Sequence, residues 1–96
     1  MLINKGFSQG DVVSIKLLNG DEIIARFESE TVDTIVISRP LAITMSGSGL
    51  GLIPWVFLGE DKQVTLDKKN TFFIVASKQA ASKQYIEDTT GISLVK

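Results

Sequence analysis

The sequence predicts a mostly-β protein: a small, strongly bent, five-stranded antiparallel barrel followed by a short C-terminal helix. Three observations carry that reading. Apolar and polar residues alternate with period two over residues 11–18 and again over 22–28, the signature of half-buried strands. Polar turn signals break the pattern at Asn19-Gly20, at residues 29–33 and at residues 67–70. After Ala76 the composition changes to helix formers with few β-branched residues. Five strands in a chain of 96 residues suit a small barrel better than an immunoglobulin-type sandwich, which uses about 100 residues and seven strands.

Each element follows from its residues. In the first strand Val13, Ile15 and Leu17 point one way, Ser14 and Lys16 the other. Asn19-Gly20 then marks a two-residue hairpin, because both residue types accept φ > 0. In the second strand Ile23, Ala25 and Phe27 share a face opposite Glu22, Arg26 and Glu28. A third strand starts at Ile35, and Ile35, Ile37, Leu41, Ile43 and Met45 are spaced to share one face, broken only by Arg39. Pro40 lacks a ladder donor, so this strand is expected to bend or lie at an edge there. Residues 46–49 read as a flexible loop. Residues 50–58 form a fourth, nearly continuous apolar strand around Pro54 and Trp55. Residues 64–66 are a short strand or the resumed end of the fourth, and residues 71–76 are the last. The helix is expected over 77–88, capped by Ser77, with Ala81, Tyr85 and Ile86 on its apolar stripe. Residues 92–95 form a short apolar tail. The whole reads as one domain over 1–96, the barrel at about 11–76 and the helix and tail at about 77–96.

Composition narrows the function. Hydrophobic residues make up 44% of the chain, so it has the means to fill a core. There is no cysteine and no histidine. That removes disulfides, thiolate zinc sites, the commonest general base and the commonest metal ligand. The expectation is a non-enzymatic protein with no cofactor and no bound metal, at home in a reducing cytoplasm. Residues 1–10 lack a basic segment followed by a long apolar core, so no signal peptide is expected. No run approaches the roughly 18 apolar residues of a membrane span. Ten Lys and Arg against eleven Asp and Glu give a net charge of −1, so nucleic acid cannot be held by bulk charge and would need a local patch.

The run VVSIKLLNGDEIIARFESETVDTIVIS, from Val12 to Ser38, resembles the first motif of Sm-like proteins: an alternating strand, a hairpin glycine (Gly20), a bent second strand, a polar turn and an apolar third strand. The stretch QVTLDKKNTFFIVAS is similar to their second motif, where a short turn separates the last two strands. The whole chain is also similar to the small Sm-like proteins of marine T4-like cyanophages, which pair an apolar Pro-Trp strand (here LIPWVF) with a terminal TTGI segment (Thr89 to Ile92). The chain departs from the family at Ala25, where a glycine is frequent, at Thr31 and Ile35 in place of Asp and Asn, and at Lys68-Lys69-Asn70 in place of Arg-Gly. The resemblance implies a homo-oligomeric ring of about five to seven subunits that binds single-stranded RNA or DNA, acting in the cytoplasm, or the host cytoplasm if phage-encoded. The near-neutral charge and the missing Arg-Gly leave a second class open, a structural or adaptor ring whose partner is a protein.

The resemblance also orders the candidate residues. Lys68, Lys69 and Asn70 fall in the loop that faces the pore of Sm-like rings, where two lysines per subunit would be multiplied into a phosphate-binding ring. Their plainer reading is a solvated turn. Thr31, Asp33 and Thr34 could hydrogen-bond a base edge, although no aromatic residue in either turn offers a stacking platform. Arg39 could bind phosphate, or pair with Glu28 or Glu30 across the sheet, the reading its position favours. Trp55, inside LIPWVF, reads as core or subunit interface. The acidic pairs Asp21-Glu22, Glu60-Asp61 and Glu87-Asp88 sit at turns and a helix end without His or Cys, and Gly47-Ser48-Gly49 lacks the Lys-Ser or Lys-Thr of a phosphate loop.

Overall fold

A computed structural model of the chain describes residues 2–3, 6–47, 49–55 and 63–90. Its strands are β1 (Leu2–Ile3), β2 (Val12–Leu17), β3 (Glu22–Glu30), β4 (Thr34–Ser46), β5 (Gly49–Pro54), β6 (Gln63–Asp67) and β7 (Thr71–Ala76). A 3-10 turn, Lys68–Asn70, joins β6 to β7, and one helix, α1 (Gln79–Thr90), follows. All seven strands lie in one sheet with the path β1-β7-β2-β3-β4-β5, and β6 also pairs with β4. Only the two-residue β1 runs parallel to its neighbour. The protein is therefore mostly β with a C-terminal helix, as the alternation predicts.

Seven strands replace the expected five: β1 adds one at the N-terminus, and β4 is long enough for two partners end to end, which adds the other. Its first half pairs with β6 from Thr34 to Ser38, and its second half pairs with β5 from Leu41 to Ser46. Ile37 faces Phe27 on one side and Val64 on the other; Leu41 faces Ile24 and Pro54. β5 and β6 thus share the β4 edge opposite β3, and the fourth rank of the sheet is interrupted and resumed. The apolar run expected over 50–58 is a strand only as far as Pro54; residues 56–62 lie outside the described residues, as does the tail over 92–95. β7 is not an edge along its whole length, since β2 covers one side and β1 two residues of the other. β6 and β7 are linked by the turn but not paired, so among the described residues the sheet is not closed.

One face of this sheet holds the core. Val13, Ile15, Leu17, Ile23, Ala25, Phe27, Ile35, Ile37 and Ile74 are buried together, with Phe7, Trp55, Val64 and Leu66 packed against them. Each full burial of a large aliphatic side chain contributes about 1.5–3 kcal/mol, so this face supplies the main drive to fold.

Two bulges then redirect side chains that strict alternation would have placed elsewhere. Arg26 faces Ser38 but Ile24 faces Leu41, so Arg39 and Pro40 together oppose Ala25. Arg39 takes φ +49, the left-handed region, and it is the one non-glycine residue to do so among those described. Pro40 sits where no donor is needed, as bulges allow. The extra residue reverses the phase of β4. Ala42 now shares the face of Ile23, while Leu41 shares the face of Ile24, away from the core. The expected single face from Ile35 to Met45 is thereby split at Arg39. A second shift lies between Phe27/Ile37 and Ser29/Val36, with Glu28 as the extra residue. It turns Glu30 to the side of Ile35.

The β2–β3 hairpin also differs from the simple two-residue form. Gly20 N–H donates to Leu17 C=O at 3.0 Å and Leu17 N–H donates to Asp21 C=O at 2.9 Å, with Gly20 at φ +98. That is a three-residue loop ending in a glycine bulge, which needs φ > 0 at Gly20 alone. Asn19 instead accepts from Asp21 N–H through Oδ1 at 2.9 Å.

α1 lies against the outer face, the side of Ser14. It starts at Gln79 rather than Ser77. Ser77 does not cap it; its Oγ is 2.9 Å from Ser14 Oγ, and its N–H donates to Val12 C=O. The helix buries one side chain, Tyr85. The Tyr85 hydroxyl donates to Ser38 C=O at 3.1 Å and Arg39 C=O at 2.9 Å, and burial raises its pKa to about 12.

Candidate functional site

The turn after β3 and the turn after β6, thirty-odd residues apart in sequence, meet at one end of the sheet. The pairing of Thr34 with Asp67 brings them together. Thr31 Oγ1 accepts from Asp33 N–H at 3.2 Å and Thr34 N–H at 3.0 Å, and lies 2.8 Å from Thr34 Oγ1. A hydroxyl that accepts two or three residues onward is what holds such turns. Across the gap, Asp67 Oδ1 accepts from Lys69 N–H at 3.1 Å and so caps the 3-10 turn. Lys68 N–H donates to Asp33 C=O at 2.8 Å and ties the two turns to each other. Thr31, Asp33, Thr34, Lys68, Lys69 and Asn70 therefore form one surface.

Arg39 is not part of it. It sits on the β4 bulge, where its Nη1 donates to Thr89 C=O at 2.7 Å near the end of α1. It pairs with neither Glu28 nor Glu30, because the left-handed backbone at Arg39 aims it at the helix. Glu28 instead accepts from Ser38 Oγ at 2.6 Å and Gln9 Nε2 at 3.0 Å. These bonds, that of Ser38 foremost, hold the Glu28 carboxyl below its ordinary pKa of 4.5.

Charge decides what the joined turns can hold. Lys68 Nζ lies 2.8 Å from Glu30 Oε2, and Lys69 Nζ lies 3.7 Å from Asp67 Oδ2. Lys68 is well shielded, with its side chain 19% exposed. Glu30 Oε2 is closed off from water and has the Lys68 ammonium as its neighbour. Each lysine thus stands beside a carboxylate, Lys68 beside Glu30 and Lys69 beside Asp67, and the joined turn carries a further acidic residue, Asp33. The surface offers hydroxyls, amides and one outlying ammonium, and no net positive field. Sequence reasoning missed Glu30 as the partner of Lys68; the acidic residue is visible in the sequence, but only the Glu28 bulge turns it inward.

Behind Asn70 a cleft of about 690 Å³ opens where β6 and β7 part. Leu17, Leu18, Trp55, Leu66, Asp67 and Asn70 are among its walls. Trp55 is half-buried against the core, in line with the core reading of that residue. Exposed apolar side chains surround this end of the molecule. Leu18 is 62% exposed and Phe72 60%, and Leu18 N–H donates to Asn70 C=O two residues before Phe72. The rings of Phe72 and Phe73 are 5.5 Å apart. Val32, at the tip of the Thr31 turn, is 87% exposed.

Neither a protein-family model nor a curated protein matches this chain.

Among the described residues no group of three or more acidic, His or Cys side chains stands close enough to hold a metal. Asp88 accepts from Gln84 Nε2 at 2.9 Å within α1, which is helix-surface chemistry. Glu60-Asp61 lies outside the described residues. No described helix is long and apolar enough to cross a membrane.

Proposed function

We propose that this chain is a non-enzymatic, Sm-like binding protein that assembles into a homo-oligomeric ring and whose partner is a protein. The pairing of both lysines with carboxylates, tight at Lys68 and loose at Lys69, carries the choice of partner. A phosphate backbone is held by cations free to displace its counterions, and here both lysines have carboxylate neighbours within 4 Å. Exposed Phe72, Phe73 and Leu18 supply instead the apolar and aromatic contacts that protein interfaces favour. For the ring, support comes from the strands. β2, β3, β4, β6 and β7 follow one another along the chain as the resembled motifs do, with a short turn between the last two. Among the described residues no strand pairs with the edge of β6 away from β4, and unpaired edges of this kind invite pairing with another copy. A head-to-tail contact of that sort closes into a ring of about five to seven copies or runs on as a filament.

A second reading keeps single-stranded RNA or DNA as the ligand. Its support is the meeting of Thr31, Asp33 and Thr34 with Lys69 and Asn70 on one surface, which a ring would repeat around its axis. Light scattering at micromolar concentration tests the ring: a stable monomer overturns it. Titration of short labelled RNA and DNA oligomers across a salt series separates the ligands. No binding is expected; salt-dependent binding that falls in Lys69→Ala selects the nucleic-acid reading.

A further inference from the structure

We propose that α1 is a releasable strap over the outer face of the sheet, latched by Tyr85 to the Arg39–Pro40 bulge and able to open while the sheet stays folded.

The helix stands apart from the main core cluster and sends one fully buried side chain, Tyr85, into the opposite side of the sheet. The core cluster is complete within the sheet and its loops, and no residue of α1 belongs to it. Of its twelve residues only Tyr85 is buried. The attachment is concentrated at one end. Tyr85 Oη reaches two successive carbonyls, Ser38 at 3.1 Å and Arg39 at 2.9 Å. Arg39 returns the contact through Nη1 to Thr89 C=O at 2.7 Å, one turn further along the helix. A non-glycine residue at φ +49 is costly to hold, and such residues persist where surrounding contacts over-determine them. Here those contacts come from the helix, so the bulge and the helix hold each other.

The other end is loose. Under the first turn of α1 lies a cavity of about 330 Å³, walled by Ser14, Glu22, Ile43, Val75, Lys78 and Ala81. At the helix approach, the Ser14–Ser77 contact and the Ser77 N–H bond tether the chain without filling that space. On the same outer side of the sheet the β4 bulge sets an apolar strip by turning Leu41 to the side of Ile24, which is itself fully buried. Opening α1 withdraws Tyr85 from that side of the sheet; closing it seats the ring there again. Segments with few buried contacts open locally at a free energy below that of global unfolding, and α1 has that character.

Hydrogen exchange on the full chain, read segment by segment, tests this. In the unmodified protein, amides of residues 79–90 are expected to exchange at least tenfold faster than those of β2 and β3, and at a rate nearly independent of low denaturant. Tyr85→Phe is expected to speed exchange in 79–90 by a further tenfold while β2 and β3 keep their protection. Arg39→Gly, which keeps the left-handed backbone but removes the guanidinium, should speed the same segment alone. Equal protection of α1 and the core strands in the unmodified protein, lost together with denaturant, would make the helix part of one cooperative unit and overturn the strap. So would unchanged exchange of 79–90 in Tyr85→Phe. If that variant fails to fold, the denaturant dependence of the unmodified protein decides by itself.

Discussion

Lys68 Nζ and Glu30 Oε2 sit 2.8 Å apart, and the glutamate oxygen is shut off from water. Glu30 reaches that place because Glu28 is an extra residue in β3, which rotates the strand end so that Glu30 lies on the side of Ile35. A lysine that stands in a turn by sequence is thereby a structural cation. Its neighbour Lys69, 78% exposed, stays outside.

The two lysines are therefore expected to behave differently. Lys68→Ala leaves a shielded carboxylate without its counter-charge and should lower stability by about 1–2 kcal/mol. Lys69→Ala should change stability by less than about 0.5 kcal/mol, as exposed turn substitutions do. Chemical denaturation of both variants checks this, and equal effects would remove Lys68 from its structural role.

Stability should also fall at acidic pH through Glu28. Its folded pKa lies below the ordinary 4.5, so the deprotonated form is favoured by folding. That contribution is fully present above the unfolded value and is lost as pH falls through the lowered folded value. Ser38→Ala, which removes the leading hydrogen bond, should flatten this acid limb of a melting-temperature profile, and Glu28→Gln should flatten it too. An unchanged acid slope in both variants would assign the loss to other carboxylates.

Ile74 is the point where sheet pairing and core packing coincide. It is 1% exposed and faces both Ile15 and Ile3. Ile74→Ala should cost about 2–4 kcal/mol through the cavity it leaves. Ile74→Pro also removes a ladder donor from the strand that carries both neighbours, and should abolish cooperative unfolding and any assembly. Circular dichroism melts with light scattering read both outcomes.

Gly20 should resist substitution for a different reason. A Cβ there meets no atom within 4 Å, so space is free, but φ +98 strains any residue with a side chain. Gly20→Ala should cost about 1–2 kcal/mol, while Asn19→Ala, at ordinary φ, should cost less. Equal costs would mean that the hairpin does not use the glycine bulge.

How much of this was legible follows the physics of alternation. Val13, Ile15 and Leu17 on one strand and Ile23, Ala25 and Phe27 on the next are all buried, because period two survives as long as the ladder is regular. The last strand was readable to the residue, Thr71–Ala76, and the helix to within two residues at each end. The site was half legible. Turn chemistry marked Thr31–Thr34 and Lys68–Asn70, but nothing local says that two turns so far apart are neighbours.

The sequence by itself determined the fold class, the inner face and the positions of the turns, since each depends on a few consecutive residues obeying one period. Only the tertiary structure decided the two bulges. A bulge is a mismatch between two strands, invisible in either one, and a one-residue slip sends every later side chain to the opposite face. At Arg39 it split the apolar series of β4 and made a seat for Tyr85. At Glu28 it turned Glu30 inward to meet Lys68, and so changed the charge of the surface that the sequence had marked as basic.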